Sequence, residues 1–448
     1  MSAGVVQADE RGGFPRDLAT ETARGSDADI LLAWLYGLTI FGFPLASTIP
    51  VVASIESQLI TVPYRALIVA LSLAIFLRWI MFGARIYAGA LLAPLLAYWL
   101  LLLGRMMWDI FADPLPNPLL IPEWQLIALS LGACFIPAAA LLQIPTVRTL
   151  VLVRRLTETL GFIALVLLLW LGVSALTGNR VFHRLSTDVL NPVSVGHLAV
   201  SVFICVAYSL AKGPPEATRR SVRVLVTQFR SLVLLFALAT AVASFSKAPL
   251  LCVILAGAFF CVMPVGRRGL GVGALATRVL LLALVAFGSV SMTFYLEDRG
   301  IIDVVSRFDP TLGDQSSRER LQFFDGAWTQ FLEHPVVGDR FVEVLSMSYP
   351  HNAVLESMMS IGVLGLVLSL VANAVGAFIA WRLVRSRGEA VWVGLIYFQY
   401  AIAQVFSGSV ILNSIYWAYF VACIAVFHMD AKRQKNLQQH TGAVAEAR

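Results

Sequence analysis

The sequence predicts an all-α fold: a polytopic bundle of about twelve membrane-spanning helices, with one large outer loop that contains short helices. Two observations lead to this fold class. Hydrophobic residues make up 58% of the 448 positions and charged residues only 13%, about half the share of a soluble domain. Apolar runs of about 20 residues, the length that crosses about 30 Å of hydrocarbon, recur along the whole chain.

Twelve apolar runs qualify as spans. The seventh is short for a crossing, and the tenth is long enough to tilt or to extend beyond the bilayer. The predicted spans are residues 30–50, 62–81, 86–103, 124–142, 156–177, 192–211, 230–243, 249–265, 274–296, 353–383, 391–407 and 410–427. The predicted organisation is a disordered cytoplasmic tail at residues 1–29, spans one to nine within 30–296, a large periplasmic loop at 297–352, spans ten to twelve within 353–428 and a disordered cytoplasmic tail at 429–448.

The distribution of Lys and Arg predicts that both termini lie in the cytoplasm. With the N-terminus inside, 23 of the 33 basic residues fall in the tails and in connections on that same side. Basic residues collect on the cytoplasmic side of membrane proteins. The net charge of +6 is therefore a signal of topology, and no nucleic-acid partner is needed to explain it.

The loop at residues 297–352 is much longer than the other outer connections, and loops of this length are usually functional. It holds five arginines, ten acids and two histidines. Apolar residues recur in it at helical spacing, which predicts an amphipathic helix at residues 316–331 over the outer mouth of the bundle. These residues are Leu321, Phe324, Trp328 and Phe331.

The stretch from Tyr349 to Asn352 joins this loop to the tenth span. Asn352 is a good helix cap, so a helix is expected to begin next to it. The positive end of the helix dipole favours an anion, and His351 is expected to face an outer aqueous cavity beside it. Glu356 follows one turn later on the same face. The alternative interpretation is that His351 is a solvated loop residue.

Two further features point to an anionic ligand on the outer side. Arg318 and Arg320 lie in the predicted loop helix, and guanidinium groups suit phosphate oxygens. Lys247 lies between two apolar runs, where an ionisable residue is a functional candidate by default. The alternatives are a solvated helix in which Glu319 and Asp325 pair with the arginines, and a lysine that extends to the membrane surface.

In order and spacing, these features resemble the bacterial O-antigen ligase and O-antigen polymerase superfamily. That family has an SxSR entry to a span, then a large periplasmic loop with an Arg before an aromatic residue, a PLLGxG turn, an HNxxL sequence and a GxxG sequence in the next helix. The corresponding residues here are Ser244, Ser246 and Lys247, Arg320 before Phe323 and Phe324, Pro335 and Gly338, His351, Asn352 and Leu355, and Gly362 and Gly365. The match covers about residues 232–427. Two positions depart from the pattern: Lys247 replaces an Arg, and Arg340 replaces the second Gly of the turn.

The resemblance implies a GT-C-like membrane glycosyltransferase without a metal or other cofactor. Its donor would be a glycan linked to undecaprenol through pyrophosphate, used on the periplasmic face of the inner membrane. The acceptor would be a second lipid-linked glycan in a polymerase, or the lipid A core in an O-antigen ligase. A polymerase is preferred because the first half of the chain has no evident docking patch for lipid A. A chain-length regulator and export machinery are candidate partners.

The resemblance also implies roles for the site residues. His351 would be the base or would orient the acceptor, and Arg320 would be the main pyrophosphate ligand. Arg318 is the fallback ligand, because the register of SSRERL is ambiguous by two residues.

Four other residues would support them. Lys247 and Arg340 are candidate auxiliary cations for the pyrophosphate. Asn352 would cap the helix or contact substrate, and Glu356 would orient His351.

A transporter or flippase for the same kind of lipid is the main rival interpretation. Transporters usually carry paired ionisable residues near the midplane of broken helices. Here the charge collects in one outer loop and the predicted spans are nearly free of it, which favours an enzyme. A non-catalytic scaffold is a weaker rival, since it would not need Arg320 and His351.

Overall fold

Among the residues that it describes, the computed structural model is mostly helical and contains no strands. These are residues 29–83, 86–87, 89–113, 122–177, 185–186, 190–213, 219–262, 291, 315–386 and 388–446. The helices are α1 (Asp29–Ala53), α2 (Gln58–Phe82), α3 (Leu92–Phe111), α4 (Trp124–Ala140), α5 (Val147–Thr177), α6 (Pro192–Lys212), α7 (Arg220–Ala243), α8 (Lys247–Val262), α9 (Gln315–Glu333), α10 (Ala353–Arg385), α11 (Val391–Phe406) and α12 (Ser414–Glu446).

Eight of the described helices are long and apolar enough to cross a membrane, and the predicted all-α membrane fold is confirmed. The eight are α1, α2, α3, α5, α6, α7, α10 and α12; α4, α8 and α11 are shorter apolar helices. Eleven predicted spans overlap these helices, and the ninth, at residues 274–296, lies outside the described residues except for residue 291. Residues 297–314 of the predicted loop and residues 1–28 also lie outside them.

The core forms around α6, which packs against α5, α7, α8 and α11. Apolar residues surround nearly its whole circumference, as in a helix buried on all sides. A second part of the core joins α3 to α12, where Trp417 lies edge-on to Tyr98 and Trp99 at 5.7 and 5.4 Å between ring centroids. The hydroxyl groups of Tyr98 and Ser357 are hydrogen-bonded at 2.5 Å, so the core also positions the first turns of α10.

Helix α10 is broken near its start, and the preceding loop is docked into the break. The backbone leaves helical geometry over two residues that end at Gly362. Two backbone hydrogen bonds join the loop to the broken segment. They run from Val363 N to the Pro335 carbonyl and from Asp339 N to the Met359 carbonyl, each at 2.8 Å.

Two glycines make this docking sterically possible. Gly338 and Gly362 have φ angles of +74° and +67°, a region that favours glycine. A Cβ atom on Gly338 would lie 2.3 Å from the Ser360 carbonyl oxygen, and one on Gly362 would lie 2.3 Å from the Val336 carbonyl oxygen. The glycines of the two family-like motifs therefore serve backbone packing.

The C-terminal segment is helical where a disordered tail was expected. Helix α12 continues to Glu446, far beyond the predicted end of the last span. Residues 430–446 contain no proline and are rich in Ala, Lys and Gln, which have high helix propensity. An apolar helix that ends in such a sequence has no signal to stop.

A buried ion cluster lies at the ends of several predicted spans, and one of its members, Glu158, lies inside the fifth predicted span. Arg154 and Glu158 of α5 are 6% and 5% exposed, and Arg230 Nε of α7 lies 3.1 Å from Glu158. Arg154 also approaches Glu389, which lies in the connection between α10 and α11. Glu389 in turn pairs with Lys212 at the end of α6. Arg154 and Glu158 are an i,i+4 pair within α5, and the packing of separate helices brings Arg230 and Glu389 to them. The cluster lies at the end of the bundle opposite the 334–352 segment.

Candidate active site at the loop end of the bundle

We define the loop end as the end of the bundle that carries α9 and residues 334–352. His351 lies there with a positive φ of 56°. Its ring stacks on Phe323 at 5.8 Å and meets the edge of Tyr349 at 4.5 Å. The ring is partly buried, and Nδ1 has no hydrogen-bond partner among the residues that the structure describes. An imidazole fixed by two aromatic rings thus keeps a nitrogen for a ligand.

Asn352 holds the backbone that presents His351, as predicted for a helix cap. Its side-chain oxygen accepts hydrogen bonds from Val354 N at 3.0 Å and Leu355 N at 3.1 Å. Its amide nitrogen donates to the Val405 carbonyl at 3.1 Å and so ties the start of α10 to the end of α11. Both polar atoms of the Asn352 side chain thus bond to backbone groups of the protein, which favours capping over substrate contact.

Arg320 is the loop-helix arginine that acts on His351. Its guanidinium donates a hydrogen bond to the Phe406 carbonyl at 3.2 Å, which places α9 over the end of α11. Burial, as the larger cause, and the positive charge of Arg320 together lower the pKa of His351 to about 4. The imidazole is therefore neutral at pH 7. Arg318, two residues earlier, is exposed.

The predicted loop helix is present as α9, but it buries a different face. Leu321 and Trp328 are 66% and 48% exposed, although their spacing predicted a packed stripe. Ala327 and Gln330 are buried instead. The reason is that polar contacts set the rotation of the helix: Gln330 donates to Asp339 at 2.9 Å and accepts from Val344 N at 3.0 Å.

Glu356 does not hold His351, contrary to the predicted role. Its buried carboxylate accepts hydrogen bonds from Ser409 Oγ at 2.9 Å and Val410 N at 2.8 Å. These residues belong to the connection between α11 and α12. Glu356 therefore fixes that connection to α10 and supports the site through the wall of a cavity.

Arg340 is engaged in fastening the loop to α3. Its guanidinium donates to the backbone carbonyl of Asp113 at 2.7 Å and to the Asp113 carboxylate at 2.9 Å. The next residue, Phe341, donates its N–H to buried Asp109 at 2.8 Å. This clasp favours a positioning role for Arg340 over a role as a phosphate ligand.

Lys247 is exposed at the first residue of α8. Pro249 follows it and packs closely on Gly196, next to His197 in α6. Lys247 therefore lies at the loop end, although it does not line the cavity described next.

A cavity of about 460 Å³ opens beside this cluster. Its walls are formed by α1, α2, α4, the first turns of α6, the end of α11, the connection between α11 and α12 and the start of α12. Tyr349 is also a wall residue and joins the cavity to His351, whose ring it contacts. Burial raises the pKa of Tyr349, so its hydroxyl stays protonated and can donate a hydrogen bond.

Three residues of this region were not among the predicted site residues: Arg65, His197 and Tyr349. Arg65 was detectable, because a lone arginine inside an apolar run is a functional candidate in a membrane protein. Nothing local singles out His197 or Tyr349, since only the packing of distant helices brings them to one cavity. Among the described residues, no group of three or more His, Cys, Asp or Glu side chains is arranged to hold a metal ion.

Comparison with known families bears on this end of the molecule. Residues 232–370 match the family model described as O-antigen ligase. The match supports the O-antigen ligase and polymerase superfamily for this segment. The resemblance predicted from the motifs is thereby confirmed. No curated protein matches the chain.

The O-antigen ligase match contains most of the candidate site. It includes Lys247, Arg320, His351 and the two glycines of the docked loop. It excludes Arg65, His197 and the connection between α11 and α12, which form much of the cavity. The cavity is therefore built largely from parts of the chain outside the matched segment.

Proposed function

We propose that this membrane protein of the O-antigen ligase superfamily polymerises a glycan carried on undecaprenyl pyrophosphate, on the periplasmic face of the inner membrane. The observation that carries the proposal is the pairing of a neutral imidazole with a nearby fixed guanidinium at the loop end. Glycan transfer from a lipid pyrophosphate needs both a proton acceptor and a cation for the leaving group.

His351 is the proton acceptor in this mechanism. The acceptor hydroxyl oxygen forms a bond to the anomeric carbon of the donor, and its proton passes to the imidazole. A free imidazole with a pKa of about 4 is a weak base. Donor binding raises the pKa of His351, because the negative pyrophosphate offsets the charge of Arg320 and favours the protonated ring.

Arg320 stabilises the leaving group. As the new glycosidic bond forms, the bond between the anomeric carbon and the phosphate oxygen breaks, and the lipid pyrophosphate leaves with the electron pair. A guanidinium presents several N–H donors in a plane and suits phosphate oxygens. Because Arg320 is held by the Phe406 carbonyl, the cation is positioned before the reaction begins.

A ligase that joins the glycan to the lipid A core would use the same chemistry with a different acceptor. A flippase is favoured by one observation only, the buried cluster of Arg154, Glu158 and Arg230 inside spans. That cluster lies at the opposite end of the bundle and does not line the cavity. We therefore place the chemistry at the loop end.

The test is in vitro turnover by the purified protein in nanodiscs, with undecaprenyl-pyrophosphate-linked glycan alone or together with lipid A core. Lengthening of the donor glycan supports a polymerase, and product formed only with lipid A core means a ligase. His351→Ala is expected to lower turnover by a factor of roughly 10²–10⁴. Arg385→Ala, an exposed arginine at the opposite end, is the control and should leave the rate unchanged. Movement of the lipid across vesicles without any joining of sugars would overturn the enzyme proposal.

A further inference from the structure

The cavity beside His351 has the size and the polar lining of a ligand site. Its volume of about 460 Å³ falls within the usual range for small-molecule pockets. Polar side chains enter from α2, α6 and the connection between α11 and α12. They include Tyr64, Arg65, Ser194, His197 and Asn413.

Arg65 is the cation of this cavity. It lies seven residues into α2, about 10 Å from the start of that helix at a rise of about 1.5 Å per residue. No acidic residue lines the cavity, and no ion pair joins Arg65 to any carboxylate among the described residues. Its guanidinium lies over the Phe43 ring at 5.5 Å. A cation at this depth is unfavourable unless an anion accompanies it.

His197 supplies a second unsatisfied polar group. Its side chain is buried, and Nε2 has no hydrogen-bond partner in the described part of the chain. The other side of the ring faces Gln399, whose amide nitrogen lies 3.3 Å from Nδ1. A buried orphan nitrogen costs free energy unless a ligand or water completes it. The cavity is thus lined by a cation from α2, Arg65, and by an imidazole from α6, His197, with an unpaired nitrogen.

A lipid can reach Arg65 from the bilayer. Helix α2 lies at the periphery of the bundle, with only 22% of its apolar window buried inside the protein. Arg65 itself is partly exposed. A phosphate group could therefore enter the cavity while its hydrocarbon chain stays in the membrane along α2.

The cavity also communicates with the candidate catalytic residue. Tyr349 connects them by contact, because it lines the cavity and its ring lies 4.5 Å from the His351 ring. A sugar attached to a phosphate held at Arg65 would extend past Tyr349 toward the imidazole.

We propose that this cavity binds the pyrophosphate of the acceptor lipid, with Arg65 as its phosphate ligand and His197 as a hydrogen-bond partner. The inference rests on the proposed function, since a polymerase uses two lipid-pyrophosphate substrates. One pyrophosphate leaves at Arg320, whereas the other stays intact on the acceptor throughout the reaction. The second pyrophosphate needs a site of its own, and Arg65 is separate from Arg320.

Binding stoichiometry tests the second site directly. The probe is radiolabelled farnesyl pyrophosphate, which carries no sugar and cannot react, added to the full chain in phosphatidylcholine nanodiscs. Wild type is expected to bind two equivalents. Arg65→Gln should bind one equivalent, at the Arg320 site, because the affinity of the cavity site falls by about tenfold or more. Arg78→Gln is the matched control, because Arg78 is also a partly buried arginine of α2 and lies over the Phe82 ring at 5.9 Å.

The other outcomes separate the two proposals. Arg320→Ala should remove the first equivalent and keep the Arg65-dependent one. If Arg320→Ala keeps both while Arg65→Gln loses one, the cavity site stands and the proposed leaving-group site fails. One equivalent in wild type that Arg320→Ala removes, or two in Arg65→Gln, overturns the cavity site. The comparison of wild type with Arg320→Ala decides even if Arg65→Gln does not fold.

Two further arms identify the occupant. Phosphatidylglycerol in the nanodisc should not displace the Arg65-dependent equivalent; displacement would mean that an ordinary phospholipid headgroup occupies the site and would overturn the acceptor assignment. In polymerisation assays, Arg65→Gln should raise KM about tenfold with kcat within about threefold of wild type, as expected for loss of uniform binding. A fall in kcat at constant KM contradicts the proposal.

Discussion

The candidate site depends on one imidazole that stays neutral although it lies at the mouth of a membrane bundle. Burial and the charge of Arg320 together lower the pKa of His351 to about 4. On acidification, His351 of the unfolded chain would bind a proton near its ordinary pKa of 6.5, at a higher pH than in the folded chain. Acidification from pH 6.5 to about 4 therefore destabilises the folded state, and the contribution of this group to stability is fully present above pH 6.5.

The titration of His351 is directly testable. Diethyl pyrocarbonate reacts with neutral imidazole, so modification of His351, read by peptide mass spectrometry, should stay high from pH 8 to about 5 and fall only near pH 4. Arg320→Ala should move the midpoint to higher pH because it removes a positive neighbour. Added pyrophosphate should move it in the same direction. A wild-type midpoint near the ordinary value would contradict the burial and charge effects.

The two arginines of α9 should differ strongly. Arg320→Ala is expected to lower glycan transfer by about 100-fold, because a preorganised cation for the leaving group is lost. Arg318→Ala should change the rate by less than about threefold, since an exposed charge in high dielectric contributes little. Rates are compared at saturating donor with equal amounts of monodisperse protein. Equal losses of rate in both variants would contradict the orientation of α9 that turns Arg320 inward and leaves Arg318 exposed.

Local sequence predicted the residues whose role depends on near neighbours. Asn352 was recognised as a cap because its partners lie two and three residues ahead. Glu356 was misassigned because its partners, Ser409 and Val410, are more than fifty residues away. Arg65 and His197 meet only through the packing of α2 and α6 around one cavity, which no local pattern encodes.

At the scale of elements, the loop and α10 form one docked unit. The turn at Pro335–Gly338 inserts into the break of α10, and the two backbone hydrogen bonds close it. This unit fixes the distance between α9 and the start of α10, which carry Arg320 and His351. The GxxG and PLLGxG motifs were assigned from resemblance alone, and the structure supplies their steric reason.

Gly362→Ala should disrupt this unit. The added Cβ would meet the Val336 carbonyl oxygen at 2.3 Å in a backbone region unfavourable to alanine, at a cost of about 1–3 kcal/mol. We expect a lower thermal unfolding temperature and a transfer rate reduced by about tenfold or more. Gly104→Ala in α3 is the control, since a Cβ there has nothing within 4 Å. Equal stability of the two variants would show that the docked geometry is absent.

Apolar periodicity predicted that α9 is a helix but not which face it buries. The pattern treats every apolar residue as a core candidate, yet α9 leaves Leu321 and Trp328 exposed. Its inner face is set by polar contacts of Arg320 and Gln330. The helical period of α9 therefore follows from the spacing of its apolar residues, whereas the choice of the buried face does not.

At the scale of the whole molecule, the two ends of the bundle use their charges differently. The loop end holds Arg320 and Arg65 near a cavity, whereas the opposite end pairs its buried charges with one another. Glu158 is central to the second cluster, because it meets Arg230 and Arg154. This cluster ties α5 to α7 and so stabilises the bundle away from the site.

Glu158→Gln should therefore affect stability more than chemistry. Buried Arg154 and partly buried Arg230 would lose their contacts with the Glu158 carboxylate, at a cost of about 3 kcal/mol. Denaturant unfolding in mixed micelles measures this loss, and Glu333→Gln, an exposed acid of α9, provides the control. Transfer by the folded fraction should stay close to wild type. Loss of transfer in a stable Glu158→Gln protein would instead link the cluster to function, as a transporter requires.

The most direct test of the central claim is the rate at which lipid pyrophosphate is released from bound donor in a single turnover, with acceptor present. Wild type, His351→Gln and Arg320→Ala are compared after the donor bound to each has been measured. The account predicts release coupled to glycosidic bond formation in wild type, and a loss of about 10² or more in both variants even at full donor occupancy. Release at the wild-type rate in either variant would contradict the assignment of the chemistry to this site.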